Sequence, residues 1–274
     1  MGEYDKIYWH EAFFEALQLE LYQYKDALEF DDEYRLNEEA LRMDVLVIKK
    51  DNDVKIDKNI GKLFRKHNIF EYKSESDNFS LWDYNKVLGY AFMYSAFEKV
   101  AISDITISIA LTIYPRELIK TLENERGFKI QKFDSGIYQI DGEIIPIQIL
   151  ESKNLPEEEN LFLRNLRSNL SSEDILKTLQ CYKEQKPLNI RNVFLDRLLN
   201  ANREIFKEAM YMSETVMEIF LEGAKKHGWL NEHYATLENE KAKKIAKRML
   251  MLGDSPEKVS SATELPIDTV LGLE

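Results

Sequence analysis

The chain has the composition of a folded globular protein and a marked excess of acidic side chains. Its 274 residues are 44% hydrophobic, which excludes a disordered tail, and 49 acidic residues against 37 basic ones give a formal net charge of −12. Because nucleic-acid binding depends mainly on neutralising phosphates, such a chain has no overall attraction to nucleic acid. Any contact of that kind requires a local basic patch or a bound cation.

Several compartments and chemistries are disfavoured by the residues themselves. The N-terminus lacks the basic region and cleavage site of a secretory signal, and the longest apolar run, Val87 to Phe97, is too short to span a bilayer. The single cysteine, Cys181, excludes an internal disulfide and fits a reducing compartment. We therefore expect a cytoplasmic protein without a membrane partner. No glycine-rich phosphate loop is present, and the four histidines are too scattered to predict a zinc site.

Apolar residues at helical spacing predict a first helix over residues 7–24. On its helical wheel Glu15 lies on the polar side, whereas Glu20 falls in the middle of the apolar arc. A carboxylate there needs a partner, because burying an unpaired charge is costly. The pattern leaves two partners open: a metal ion, or a salt bridge to the strand that follows.

Three β-type segments follow this helix. Alternating residues over 27–36 and a branched run over 41–49 predict an antiparallel hairpin, and residues 68–73 predict another strand. A short helix is predicted between them, over 58–67. Side chains on a strand alternate between faces, so pairing of the second and third strands would gather Asp44, Glu71 and Lys73 on one face.

Two carboxylates on neighbouring strands, about 4.8 Å apart, could share one divalent cation, which prefers oxygen ligands. The alternative is a surface aspartate beside a Glu/Lys pair on an exposed strand. Apolar residues on both faces of 41–48 favour a central strand instead, where an unpaired aspartate needs an explanation.

The rest of the first half predicts an α/β arrangement. Tyr84, Tyr90 and Tyr94 belong to an apolar helix and are read as core residues, with base stacking as the alternative, and Lys86 is a candidate for phosphate contact. Pro146 predicts that the last strand lies at a sheet edge. The elements are a helix over 81–97, a strand over 104–112, a helix from Pro115 to Gly127, and a hairpin of 137–140 and 143–150 around Asp141-Gly142.

From Asn154 onward the pattern contains helices alone, over 157–170, 173–185, 190–226 with an interruption, and 234–252. The sequence therefore predicts two domains, residues 1–155 and 156–274. A basic cluster of Lys241, Lys243, Lys244, Lys247 and Arg248 is either a solvated helix face or a phosphate-binding surface. The tail predicts two short helices broken at Leu265-Pro266, a truncated helix-turn-helix whose second helix lacks the basic residues that base recognition requires.

Asp44 on one strand and Glu71-Tyr72-Lys73 on the next resemble the core motif of the PD-(D/E)XK nuclease superfamily. The order of elements around them resembles its transposase-derived branch, the recombination-promoting nuclease (Rpn) type, over residues 1 to 155 and in the C-terminal tail. Met43 stands where many members have proline. The resemblance implies a restriction-endonuclease-like mixed β-sheet flanked by helices, followed by an all-helical C-terminal region.

The resemblance also implies a chemistry for these residues. Asp44, Glu71 and the Tyr72 carbonyl would bind Mg²⁺ or Mn²⁺, and a carboxylate of the first helix, Glu20 or else Glu15, would join them directly or through water.

Lys73 would orient or deprotonate the attacking water and stabilise the transition state. The expected function is metal-dependent endonuclease cleavage of DNA. The alternative is a catalytically inactive descendant that serves as a binding or interaction module, and a homo-oligomer is compatible with either.

Overall fold

The computed structural model describes residues 9–35, 42–51, 54–185, 193–209, 213–226 and 242–273. Its described residues divide into two compact units, Met1–Val216 and Met217–Glu274. The first unit is a mixed α/β fold, as the sequence predicts. Its strands are β1 (Leu28–Arg35), β2 (Arg42–Lys49), β3 (His67–Lys73), β4 (Ile105–Leu111), β5 (Lys129–Asp134), β6 (Ile137–Asp141) and β7 (Ile147–Glu151).

All seven strands belong to one sheet, in the order β1-β2-β3-β4-β7-β6-β5. Strands β3, β4 and β7 are parallel to one another, and every other pairing is antiparallel. Every residue of β4 and β7 is buried, as expected for central strands covered on both faces. The carboxyl ends of the three parallel strands, at Lys73, Leu111 and Glu151, therefore meet at one edge of the sheet.

The helices are α1 (His10–Glu20), α2 (Leu81–Glu98), α3 (Arg116–Arg126), α4 (Glu157–Asn165), α5 (Ser172–Gln185), α6 (Val193–Ala201), α7 (Arg203–Ala209), α8 (Glu214–Lys226), α9 (residues 242–251), α10 (Pro256–Thr263) and α11 (Ile267–Leu271). Local sequence determines several of these ends. A capping box of Ser80 and Asp83 begins α2, and Gly127, with φ +67°, ends α3 in the left-handed conformation that glycine adopts readily.

Helices cover both faces of the sheet. Ile69 of β3 belongs to the buried cluster that α2 and α3 form with the sheet. Because strand side chains alternate, Phe70 and Tyr72 point to the opposite face, where Phe13 of α1 stacks on Tyr72 with ring centroids 4.6 Å apart. The sheet is thus enclosed between α1 on one side and α2 with α3 on the other.

The predicted boundary at residue 155 is not where the two units separate. Helices α4 and α6 belong to the first unit because buried carboxylates of α1 accept hydrogen bonds from their backbone amides: Glu20 from α4 and Glu15 from α6. This capping joins the first helical segments after the sheet to the sheet domain, so the division falls after Val216.

Two local predictions in the first unit are wrong, and one strand was not predicted. The helix expected over 58–67 is reduced to a 3₁₀ turn, Asn59–Gly61. Pro146 does not mark an edge: it precedes β7, an interior strand, and its carbonyl accepts the Ile107 amide at 3.0 Å. The two edges are β1 and β5, and β5 was not predicted from the sequence.

The second unit has its own small core, formed by Ala246, Val259, Leu265 and Val270. The two short helices of the tail, α10 and α11, are confirmed and separate at Leu265-Pro266. In the basic cluster, Lys244, Lys247 and Arg248 are exposed and Lys243 is partly buried, while Lys241 and the predicted helical residues 234–240 lie outside the described residues. No helix in the described ranges has the length and apolar character needed to cross a bilayer.

Candidate functional site

The predicted acidic residues meet where the pairing of β2 and β3 ends. The last paired residues are Val45 and Phe70, so the same register continued by one residue would place Asp44 opposite Glu71. Instead of a ladder bond, the backbone N–H of Tyr72 donates to Asp44 Oδ2 at 2.7 Å. The Asp44 carboxylate is therefore held against the backbone between Glu71 and Lys73.

Glu71 and Lys73 share a face of β3 and form an ion pair. Lys73 Nζ lies 3.1 Å from Glu71 Oε1, and the Glu71 side chain is only 4% exposed. The ion pair follows from the two-residue period of a strand, which puts alternate side chains on the same side. Asp44, Glu71 and Lys73 are thus brought together as the sequence predicts.

The electrostatics of this group show that the two carboxylates interact. Burial and the charge of Asp44 raise the pKa of Glu71 to about 7, while the charges of Lys73 and Lys86 oppose the rise. Burial works to lower the pKa of Lys73, but the charges of Glu71 and Asp44 outweigh burial and leave that pKa above its ordinary value. Like charges in a desolvated site repel, so a cation beside both carboxylates would be stabilised there.

His10, one of the four histidines that are scattered along the sequence, belongs to this group. Its Nε2 lies 3.7 Å from Asp44 Oδ2, and its ring meets the Tyr72 ring edge-on with centroids 5.8 Å apart. A polar residue of the first helix does reach the site, but it is the first residue of α1. No sequence signal marked it, because its proximity to Asp44 depends on how α1 packs on the sheet.

Glu20, the first candidate from that helix, has a different role. Its Oε2 lies 2.8 Å from Lys58 Nζ, and its Oε1 accepts the amides of Phe162 and Leu163. The φ and ψ of Asn160 break the helical geometry of α4, so Glu20 satisfies the amides that follow this kink. Glu20 is ten residues beyond His10, about 15 Å along the helix axis. A salt bridge was one of the two partners left open, but it was expected from the strand that follows α1, whereas Lys58 lies between β2 and β3.

Glu15, the second candidate, is also committed to a helix terminus. Its Oε2 accepts the amide of Phe194 at the beginning of α6, and the residue is only 4% exposed. A carboxylate at this end of a helix meets unpaired amides and the positive end of the helix dipole. The assignment of Glu20 and Glu15 to the Asp44 group is therefore wrong, because both carboxylates are bound to helix amides. The prediction that Glu15 lies on the polar side of its helix is also wrong, since the residue is buried.

Tyr72 contributes its backbone to the site and its side chain to the core. Its N–H is the group that Asp44 binds, and its ring lies against Phe13. Ligation of a metal by the Tyr72 carbonyl remains a prediction.

A cleft with a volume of about 870 Å³ opens beyond Lys73, at the carboxyl ends of the parallel strands. The segment after β3 and the segment after β4 form its walls, and Arg116 and Lys153 line it together with Lys73. In open sheets with parallel strands, ligands bind in crevices at this end. Lys73 lines the cleft and also pairs with Glu71, so this lysine connects the cleft with the two carboxylates.

The residues present suit a hard divalent cation. Asp44 and Glu71 offer two carboxylates, and Mg²⁺ is commonly held by one or two carboxylates with water in its other positions. Within the described ranges no three His, Cys, Asp or Glu side chains form a ready-made metal cluster. The fit therefore rests on the mutual repulsion of Asp44 and Glu71, which a cation would relieve.

Comparison of the chain with protein-family models, with curated proteins and with solved structures gave no match in any of the three. The fold and the site define a mixed α/β protein with two interacting carboxylates and a lysine beside a cleft at the end of its parallel strands.

Proposed function

We propose that this protein hydrolyses phosphodiester bonds of DNA with the help of Mg²⁺ or Mn²⁺. The observation that supports this most directly is the hydrogen bond between the Tyr72 amide and Asp44. It holds the Asp44 carboxylate beside the backbone of the residue that separates Glu71 from Lys73. The spacing resembles that of PD-(D/E)XK nucleases, in which these three residue types act together.

In this proposal Asp44 and Glu71 hold the metal ion. When bound, the divalent cation would supply Lewis acidity to the phosphate and to the attacking water. Because burial and Asp44 raise the pKa of Glu71 to about 7, part of the Glu71 population is protonated at neutral pH and must lose its proton when the cation binds. Metal affinity should therefore rise between pH 6 and pH 8.

Lys73 acts on the attacking water and on the phosphate. Its ammonium, whose pKa is raised, keeps its charge at neutral pH and is held 3.1 Å from Glu71. From that position it can donate a hydrogen bond to the attacking water and stabilise the negative charge that develops on the phosphate. Its place in the wall of the cleft supports this role, since the phosphate would approach from there.

The acidic surface has a consequence for binding. Asp44, Glu71 and Lys73 sum to one negative charge, and the whole chain carries −12. DNA should therefore bind weakly without a divalent cation and more tightly with one, because the cation reverses the sign of the charge at the site.

The test uses Asp44→Asn, which retains an oxygen that can accept the Tyr72 amide and removes the charge. We would measure Mn²⁺ binding by isothermal titration calorimetry and nicking of supercoiled plasmid. The matched control is Asp57→Asn, which removes the same charge from a side chain that is 69% exposed. We expect the Asp44 variant to lose both binding and nicking, and the Asp57 variant to retain both.

The outcomes separate the two functional classes. Mn²⁺ binding that requires Asp44 together with nicking supports the hydrolase. Binding without nicking would contradict hydrolysis and favour the interaction module, and the absence of both would contradict the metal site itself.

A further inference from the structure

The charges of the site leave a developing phosphate only partly neutralised, and this inference rests on the proposed function. Asp44 and Glu71 carry two negative charges, Lys73 one positive charge, and a bound divalent cation two, which gives a sum of +1. When hydroxide attacks a phosphodiester, the transition state carries two negative charges. Lys73 is in addition already engaged with Glu71 at 3.1 Å. One further cation would balance the transition state.

Lys86 is placed to supply that charge. It lies on α2, which packs on the sheet face that carries Ile69, and by strand alternation Glu71 and Lys73 lie on this same face. Its Nζ lies over the ring of Tyr90, one turn along the helix, at 5.3 Å from the ring centroid. The side chain is exposed, so its ammonium is accessible to a bound substrate.

The effect of Lys86 on nearby carboxyl groups agrees with a place on this face of the sheet. The positive charge of Lys86 acts to lower the pKa of Glu71 and also that of Asp83, which lies one turn earlier on α2. Lys73 acts on both of these carboxyls in the same direction. The charge of Lys86 therefore acts on the same two carboxyls, Glu71 and Asp83, as the charge of Lys73.

No carboxylate in the described part of the chain holds Lys86 in an ion pair. Lys58 provides a contrast, since its ammonium is bound to Glu20 at 2.8 Å. The contact between Lys86 and Tyr90 involves the ring face and leaves the donors of the ammonium available. Such an ammonium can donate hydrogen bonds to a phosphate oxygen.

We propose that Lys86 binds the phosphate that is cleaved, so that α2 contributes a second cationic residue to the site beside Lys73. Lys73 serves the attacking water and the Glu71 carboxylate, and Lys86 serves the phosphate. The ring of Tyr90 limits the freedom of the lysine stem, so less entropy is lost when the ammonium binds.

Matched variants separate charge from packing. Lys86→Met keeps an unbranched apolar stem over Tyr90 and removes the ammonium, while Lys86→Arg keeps a positive charge. Lys120→Met is the control for net charge, because Lys120 lies on α3 with its side chain 70% exposed. A merely structural role of Lys86 would be seen as loss of stability in Lys86→Met with unchanged DNA contacts.

The first measurement is binding of a short fluorescein-labelled DNA duplex in Ca²⁺, followed by anisotropy over a range of salt concentrations. Loss of one phosphate contact should reduce the slope of log Kd against log salt by about 0.9. We expect that reduction for Lys86→Met, little change for Lys120→Met, and restoration in Lys86→Arg.

The second measurement is kcat for the same duplex in Mn²⁺, where Lys86→Met should be slower by about 10- to 100-fold if its charge stabilises the transition state.

The outcomes for Lys86 and for the proposed function are distinguishable. If the wild type cleaves and Lys86→Met has the same salt slope and kcat as the wild type, the assignment of Lys86 is overturned and the proposed function is retained. The same conclusion follows if Lys120→Met is affected as much as Lys86→Met. If the wild type binds without cleaving and the salt slope still depends on Lys86, the phosphate contact is retained and hydrolysis is overturned. If the wild type neither binds nor cleaves, both are overturned.

Discussion

Replacement of Glu71 by glutamine tests the electrostatics of the site without any assumption about its activity. The folded protein raises the pKa of this carboxyl from 4.5 to about 7, because the side chain is buried beside Asp44. The charged form is therefore less favourable in the folded state than in the unfolded state. Glutamine has nearly the same shape and resembles the protonated form, so it should remove this penalty.

The sign and size of the effect follow from proton linkage. Below pH 4.5 the carboxyl is protonated in both states and imposes no penalty. As pH rises from 4.5 to 7 the unfolded state releases its proton first, so the wild type loses stability across this window. A rise in pKa from 4.5 to about 7 corresponds to about 3 kcal/mol, which is present in full above pH 7. Glu71→Gln should therefore be more stable than the wild type by about 3 kcal/mol at pH 8, and by far less at pH 5.

The assay is urea unfolding at several pH values, with the free energy of unfolding taken from linear extrapolation. The control is Glu117→Gln, whose side chain is 89% exposed and which should change stability by less than about 0.5 kcal/mol. In an Asp44→Asn background the gain from Glu71→Gln should shrink, because the repelling charge is already absent. Two results would refute this account. One is a Glu71→Gln variant that is less stable than the wild type at pH 8, and the other is an equal increase in its free energy of unfolding at pH 5 and pH 8.

Two further predictions concern residues outside the proposed chemistry. Glu20→Ala leaves the partly buried Lys58 without its partner and should cost about 3 to 5 kcal/mol in urea unfolding, while the folded protein retains Mn²⁺ binding. Loss of Mn²⁺ binding at unchanged stability would restore Glu20 to the metal site. Gly136→Ala should lower the stability more than Gly127→Ala does. Both glycines have positive φ, but a Cβ at Gly136 would lie 2.8 Å from backbone atoms, whereas a Cβ at Gly127 would meet no atom within 4 Å. Equal changes in thermal unfolding temperature for the two variants would contradict this reasoning.

The central strands and their charged face could be predicted from the sequence, because the signals that define them are local. Alternation along β2 and β3 is a property of consecutive residues, and it places Glu71 and Lys73 on one side whatever else the chain does. The end of α3 at Gly127 is equally local. The strands β1, β2 and β3 follow from these local signals, whereas the helix predicted between β2 and β3 is only a 3₁₀ turn.

The partners of buried polar groups were decided by tertiary structure. The apolar surroundings of Glu20 on its helix correctly implied a buried carboxylate in need of a partner, but Lys58 and the amides of α4 are distant in sequence. His10 reaches Asp44 through the packing of α1 on one face of the sheet, and α2, which carries Lys86, packs on the opposite face.

The sequence by itself determined which residues share a face of a strand or helix, since that depends on backbone periodicity within a few residues. Tertiary structure decided which faces meet, because that choice minimises the free energy of all elements together. The same packing drew α4 and α6 onto α1, so the compact unit ends after Val216 and not at residue 155.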